Sequence, residues 1–270
     1  MTMTTTRILQ LTDLHLFQDA ESRLFGIPTR ETLQSVLDHV QSSGTAFDHV
    51  LITGDHTHDE NIDSYRTVRS FLTPRLDRLS IVPGNHDDRD VMRSVFADVI
   101  DRQTSQSGAV AERITFSWCS GEFLLIGLDT HSPGNVSGQV GDVQANWLND
   151  LLTTHGDRPA VVFCHHPPFD VGSDWMDAIG LTDRHLLEDI VKRHPQVELF
   201  CCGHVHHEFS GQVCSTNVVT TPSTGIQFEP AGTTATFASD APGYRVIELT
   251  GRRLESHVVR LPRVDHTPTA

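Results

Sequence analysis

A chain of 270 residues can bury a sizeable core, and 37% hydrophobic against 20% charged residues is the composition of a globular protein, not a disordered one. Its formal charge of −15 argues against a nucleic-acid backbone as partner, since such binding relies on clustered Lys and Arg. A small anion held in a metal-lined cleft stays open, because bound cations reverse the local field.

The first residues, 1–6, are only Met and Thr and lack the apolar core of a secretory signal. No run reaches the ~18 apolar residues of a membrane span. Five cysteines without a C-x-x-C pair then point to a reduced, cytoplasmic chain without a membrane partner. Cys164, Cys201 and Cys202 sit in apolar runs and read as small core residues.

Along the chain, short apolar runs alternate with helical stripes, the pattern of an α/β protein. The runs are Arg7–Leu11, His49–Thr53, Leu79–Val82, Phe123–Leu128, Ala160–Cys164 and Val197–Cys202. Between the first two, Leu33, Val36, Leu37 and Val40 repeat at helical spacing, with Pro28 as start signal and Gly44 as stop signal. Comparable stripes are Ile62, Tyr65 and Leu72; Val143, Trp147, Leu148 and Leu151; and Leu186, Leu187, Ile190 and Val191. From about Gln212 onward only β-type segments remain: Val218–Thr220, Tyr244–Leu249 and His257–Leu261. With no repeat, linker or break in composition, the expectation is a single domain over 1–270, with residues 1–6 and 262–270 as loose termini.

Open α/β sheets bind ligands at the carboxyl ends of their strands, so the residues just after each run are the informative ones. Seventeen histidines, about three times the chance number, make metal ligation the first candidate. The first run leads to Asp13-Leu14-His15, whose i and i+2 side chains would share one side of an extended segment. The second leads through Gly54 to Asp55, and the third through Pro83-Gly84 to Asn85-His86-Asp87. Two more lead to His165-His166 and, through Gly203, to His204-Val205-His206. Singly, each pair also occurs in ordinary turns. Five strand ends in this order point to one shared site.

This ordered set resembles the calcineurin-like metallophosphoesterase superfamily, from residue 7 to about residue 260. Within it, Arg7–Asp13, Thr221–Phe228 and Ala241–Arg245 are similar to the class III bacterial 3′,5′-cyclic-nucleotide phosphodiesterases, the cyclic-AMP enzymes specifically. The resemblance implies an α/β fold, a four-layer αββα sandwich of two mixed β-sheets flanked by helices. It further implies one metal on Asp13, His15, Asp55 and His206, and a second on Asp55, Asn85, His165 and His204, with Asp55 bridging. The metals would be two divalent ions, Fe²⁺ or Mn²⁺ in the first instance and Zn²⁺ as the alternative, since mixed N/O ligands suit all three.

Two dications, two carboxylates and a bridging hydroxide leave a formal charge of about +1, which suits a phosphodiester anion attacked in line by that hydroxide. His86, next to Asn85, is assigned as phosphate stabiliser and proton donor to the leaving oxygen. Asp87 is read as orienting His86, and His166 as supporting a ligand. Where the family commonly has an apolar residue after Gly54-Asp55, this chain has His56, with His58 two positions on; both are read as solvent-facing or supporting positions. Trp175, with Asp177, is a candidate cap for a nucleobase. The expected substrate is a 3′,5′-cyclic nucleotide, foremost cyclic AMP, hydrolysed to 5′-AMP. The alternatives are a glycerophosphodiesterase, a broad diesterase or a non-catalytic relative that keeps the fold; no motif speaks to oligomeric state.

Overall fold

The computed structural model describes residues 4–108, 110 and 112–269. Among these residues, eleven strands form two mixed sheets. In the first, β1 (Thr5–Leu11), β2 (His49–Thr53) and β3 (Leu79–Val82) run parallel, and β10 (Gly243–Thr250) and β11 (Arg253–Arg260) join antiparallel in the order β11-β10-β1-β2-β3. The second has the order β4-β5-β6-β7-β9-β8, from β4 (Phe116–Ser120), β5 (Phe123–Gly127), β6 (Ala160–Cys164), β7 (Val197–Cys202), β8 (Phe209–Val213) and β9 (Thr216–Thr220). Its inner strands β5, β6, β7 and β9 are parallel, and both edges, β4 and β8, are antiparallel.

Strand alternation explains the layers. Ile8, Leu51, Val82 and Ile247 of the first sheet face Leu125, Val161, Phe163, Leu199 and Cys201 of the second in the central core. The alternate residues Leu9, Leu11, Val50 and Ile52 point outward, under α1 (Thr29–Ser42), α2 (Ile62–Leu72), α3 (Arg89–Val95) and α4 (Ala97–Ser107). On the far side Val162, Cys164, Phe200 and Cys202 pack beneath α5 (Asp142–Thr154) and α7 (His185–Arg193). A short α6 (Asp174–Asp177) places Met176 in a small cluster with Val171 and Val205, the last just past the end of β7. The expected four-layer αββα arrangement is therefore present, and Cys164, Cys201 and Cys202 are core residues as read.

Several details differ from expectation. Thr5 and Thr6 are not loose, because they open β1 and pair with Thr250 and Leu249; residues 1–3 lie outside the described residues. The tail after Leu261 has no regular element, yet the Thr269 amide donates to Phe25 O at 2.8 Å and His266 lies 3.7 Å from Glu31. In α5 the inward face is Gln144, Ala145, Leu148 and Leu152, while Val143 is 69% exposed.

At the strands' amino ends, far from the run of candidate ligands, His49 of β2 bonds Ser80 of β3 at 3.0 Å and lies against Trp118 of β4 with ring centroids 4.4 Å apart. Burial, reinforced by Arg102 and Arg78 and only partly offset by Asp77, pushes its imidazole down to about 4. Below pH ~6.5 the unfolded chain takes a proton that the fold refuses, so stability falls between about pH 6.5 and 4, by up to ~1.4 kcal/mol per pH unit. His49→Gln should flatten that slope, as read from urea midpoints at pH 7 and 5. No helix among the described residues is long and apolar enough to cross a membrane.

Candidate metal centre

The carboxyl ends of β1, β2 and β3 meet those of β6 and β7, and there the candidate ligands converge. Asp13, His15, Asp55 and His206 form one buried set, and His165, with His204, lies against it. His15 Nε2 stands 3.1 Å from His206 Nε2 and 3.5 Å from Asp55 Oδ2, and Asp13 Oδ1 stands 3.3 Å from His206 Nε2. On the other side His165 Nε2 lies 3.5 Å from the same Asp55 Oδ2 and 3.1 Å from Asn85 Oδ1, which in turn is 3.0 Å from His204 Nδ1. Nitrogens and oxygens that face one another at these spacings match donors around ions with ligand bonds of ~2.0–2.2 Å. Asp55 Oδ2 belongs to both groups. Its Oδ1 accepts the His86 amide at 2.8 Å, which fixes the carboxylate's orientation.

The route by which the backbone brings these side chains inward is not the extended one expected for Asp13-Leu14-His15. Asp13 and His15 have φ of 53° and 46°, and Asp55, His204 and His206 have φ of 51°, 70° and 53°. Among the described residues, five of the nine non-glycine residues with left-handed backbone are thus candidate ligands. Such conformations cost energy for a residue with a Cβ and cluster at functional sites, with Asp and His among the more tolerant types. The turns are held by the Asp13 amide on Gly54 O (3.1 Å) and the Leu14 and His15 amides on Asp55 O (2.8 and 3.0 Å).

Gly84 is required by close approach. A Cβ there would lie 2.5 Å from the Asp55 amide nitrogen and still nearer to Asp55 Oδ1. Gly84→Ala should therefore displace the shared carboxylate and cost ~1–3 kcal/mol, measured as a shift in the urea midpoint, together with a loss of metal binding.

The supporting contacts set the tautomers. His165 Nδ1 donates to Thr53 O (2.8 Å) and His206 Nδ1 to Ile226 O (3.0 Å), which points both Nε2 atoms at the centre. Ser223 Oγ donates to Asp13 O (2.7 Å) and Thr29 Oγ1 to His15 O (2.9 Å). His166 has no nitrogen to spare. Its Nε2 donates to Val136 O (2.9 Å) and its Nδ1 accepts from Thr130 Oγ1 (2.8 Å), so it packs beside His165 and His204 without facing the centre as a donor. Burial, with His165 next to it, pushes His166 down to about 3.

Burial also opposes charge on His165, but Asp55 and Asp13, with Thr53 O, outweigh it and raise the imidazole to about 10. Asp55 is held well below its ordinary range: burial would raise it, and His165 and His15 prevail. Burial keeps His15 and His204 well below theirs. The centre thus favours positive charge while most of its imidazoles remain neutral donors, which is what a divalent cation needs.

Asp87 does not orient His86. Its carboxylate is taken up by His56 Nδ1 (2.9 Å), Tyr65 Oη (3.0 Å) and the Gly84 amide (2.9 Å). His56 is wholly buried, not solvent-facing, and braces Asp87 beneath the Pro83–Asp87 turn. His86 instead stacks on His58, with centroids 4.7 Å apart at 22°, at the edge of a cleft also lined by Val136, Trp175 and Phe228. Trp175 packs edge-on to Phe228 at 5.2 Å, and its Nε1 is buried without a hydrogen-bond partner among the described residues. Asp177 is not free to reach a ligand, since it accepts the Val171 and Gly172 amides at 2.7 and 3.1 Å.

The sequence profile of the calcineurin-like phosphoesterases matches residues 6–208. The chain belongs to the calcineurin-like phosphoesterase family. The family, together with the converging Asp and His clusters, indicates a dinuclear divalent-metal site. Among curated relatives, the 3′,5′-cyclic adenosine monophosphate phosphodiesterase CpdA of Pseudomonas aeruginosa is 34% identical over 258 residues, covering 95% of this chain and 90% of that protein. The Escherichia coli (strain K12) protein of the same name is 31% identical, over 90% of this chain and 85% of that one. Among solved structures, a dimetal phosphatase from Danio rerio has a similar fold, with a TM-score of 0.67 at 15% identity, covering 94% of this chain and 98% of that one.

Proposed function

We propose that this chain hydrolyses 3′,5′-cyclic AMP to 5′-AMP on two divalent ions, the first held by Asp13, His15, Asp55 and His206 and the second by Asp55, Asn85, His165 and His204. The observation that carries the reading is the sharing of Asp55 Oδ2 between two groups of inward-facing donors. The choice of diester is supported by the names of relatives that match over nearly the whole chain. Fe²⁺ or Mn²⁺ is the expected pair, with Zn²⁺ as the alternative. When bound, the ions supply Lewis acidity to the phosphate and lower the pKa of a water.

The chain's own residues do the rest. Asn85 and His86 face the cleft that would receive the phosphate. Hydrolysis adds water across the P–O3′ bond, and His86 donates the proton that O3′ needs to leave. Trp175 and Phe228 form an aromatic wall against which the base can stack. His166 and Asp87 hold neighbours in place and touch no substrate.

We read residues 1–270 as one domain, because the segment beyond residue 208 supplies β9 to the second sheet and β10 to the first. Free cysteines throughout, three of them buried, support a reduced, cytoplasmic setting, and the charge of −15 supports a small diester in place of nucleic acid as partner. A panel of cyclic AMP, glycerophosphodiesters, bis(p-nitrophenyl) phosphate and a phosphomonoester, run with Mn²⁺ and with Fe²⁺, tests this. Turnover of cyclic AMP to 5′-AMP is expected; cleavage of the nitrophenyl diester with cyclic AMP left intact at millimolar concentration would sink the substrate and spare the reaction class.

A further inference from the structure

A metal-holding histidine that turns one nitrogen inward usually donates the N–H on the other to an acceptor, which sets its tautomer and ring orientation; among the described residues His204 Nε2 has no such acceptor. Thr53 O does this for His165 and Ile226 O for His206. His15 is different. Its Nε2 faces Asp55 Oδ2 and His206 Nε2, so its proton belongs on Nδ1, and the atom 3.3 Å from that nitrogen is Nδ1 of His58.

We propose that His58 is a positioning residue with two contacts: its Nδ1 accepts the His15 Nδ1–H, and its ring is the platform on which His86 rests. The donor's direction places the His58 proton on Nε2. Backbone geometry puts the ring there, because the His58 amide donates to Leu16 O at 2.9 Å and Thr57 bridges Leu16, the neighbour of His15. The ring is confined on its sides by Phe17 (centroids 5.0 Å apart), His15 (5.4 Å) and His86 (4.7 Å). His15 also meets His86 edge-on at 5.1 Å, so one side chain couples the first half-site to the proton donor. Of these acceptors, His58 alone is a side chain, and substitution can remove it.

The proposal rests on the ligand assignment under the proposed function, and two substitutions separate its parts. His58→Phe keeps a ring under His86 and removes the acceptor. His58→Asn places Oδ1 near the position of His58 Nδ1 and removes the ring. Titrating the metal-free full-length chain with Mn²⁺, followed by the free-ion EPR signal, should show one of two ions bound ~10- to 100-fold more weakly in His58→Phe, with kcat on cyclic AMP near wild type once both ions are loaded. His58→Asn should bind both ions nearly as wild type but lose about tenfold in kcat as His86 loses its platform. Thermal melting of both variants controls for folding. Wild-type-like Mn²⁺ binding by His58→Phe, or equal behaviour of the two variants in both readouts, overturns the proposal. A wild-type chain that binds fewer than two ions overturns the ligand assignment, and the proposal with it.

Discussion

Asp55→Asn is expected to abolish tight binding of both ions and to lower turnover by at least ~10³, more than removal of a single electrostatic donor. The asymmetry of the carboxylate gives the reason. Oδ1 accepts the His86 amide, a bond that the Asn carbonyl can keep, whereas Oδ2 faces His15 Nε2 and His165 Nε2 at 3.5 Å each. An amide NH₂ in that place carries no charge and presents hydrogens to a cation. Metal analysis of the purified variant beside wild type reads the first effect and steady-state hydrolysis the second, while unchanged near-UV circular dichroism shows that the fold persists. A variant that retains one ion at wild-type affinity would show that the two half-sites do not share this residue.

His86→Ala is expected to retain both ions and to lose ~10²–10⁴ in kcat on cyclic AMP. Only its backbone amide, and not its ring, is bonded to a ligand, so the substitution leaves the donor set intact. The loss should depend on the leaving group. The O3′ alkoxide of ribose must be protonated to depart, whereas p-nitrophenolate leaves without a proton, so bis(p-nitrophenyl) phosphate should be far less affected. An equal loss on both substrates would assign His86 to phosphate stabilisation alone.

Much of the fold was legible in sequence because many of its strands are continuous apolar runs buried on both faces. His49–Thr53, Leu79–Val82, Ala160–Cys164 and Val197–Cys202 have the bounds that the runs suggested. β4 and β8 were missed for the complementary physical reason. Both are sheet edges; in Phe116-Ser-Trp-Cys-Ser only the first two residues are buried and in Phe209-Ser-Gly-Gln-Val none is, so neither shows an apolar run. Ligand types were legible because each comes just after a strand end. Their geometry was not, since left-handed turns at Asp13, His15 and Asp55 depend on close approach between strands and leave no local pattern. The partners of Asp87, His56 and His58 were hidden for the same reason: His56 and Asp87 lie 31 positions apart and meet only because β2 and β3 are neighbours.

The most direct test is to titrate the metal-free chain with Mn²⁺ while following conversion of 3′,5′-cyclic AMP to 5′-AMP. A dinuclear centre sharing Asp55 predicts activity that climbs to a plateau at two ions per chain. Full turnover at one ion, or no 5′-AMP with two ions bound, would contradict it.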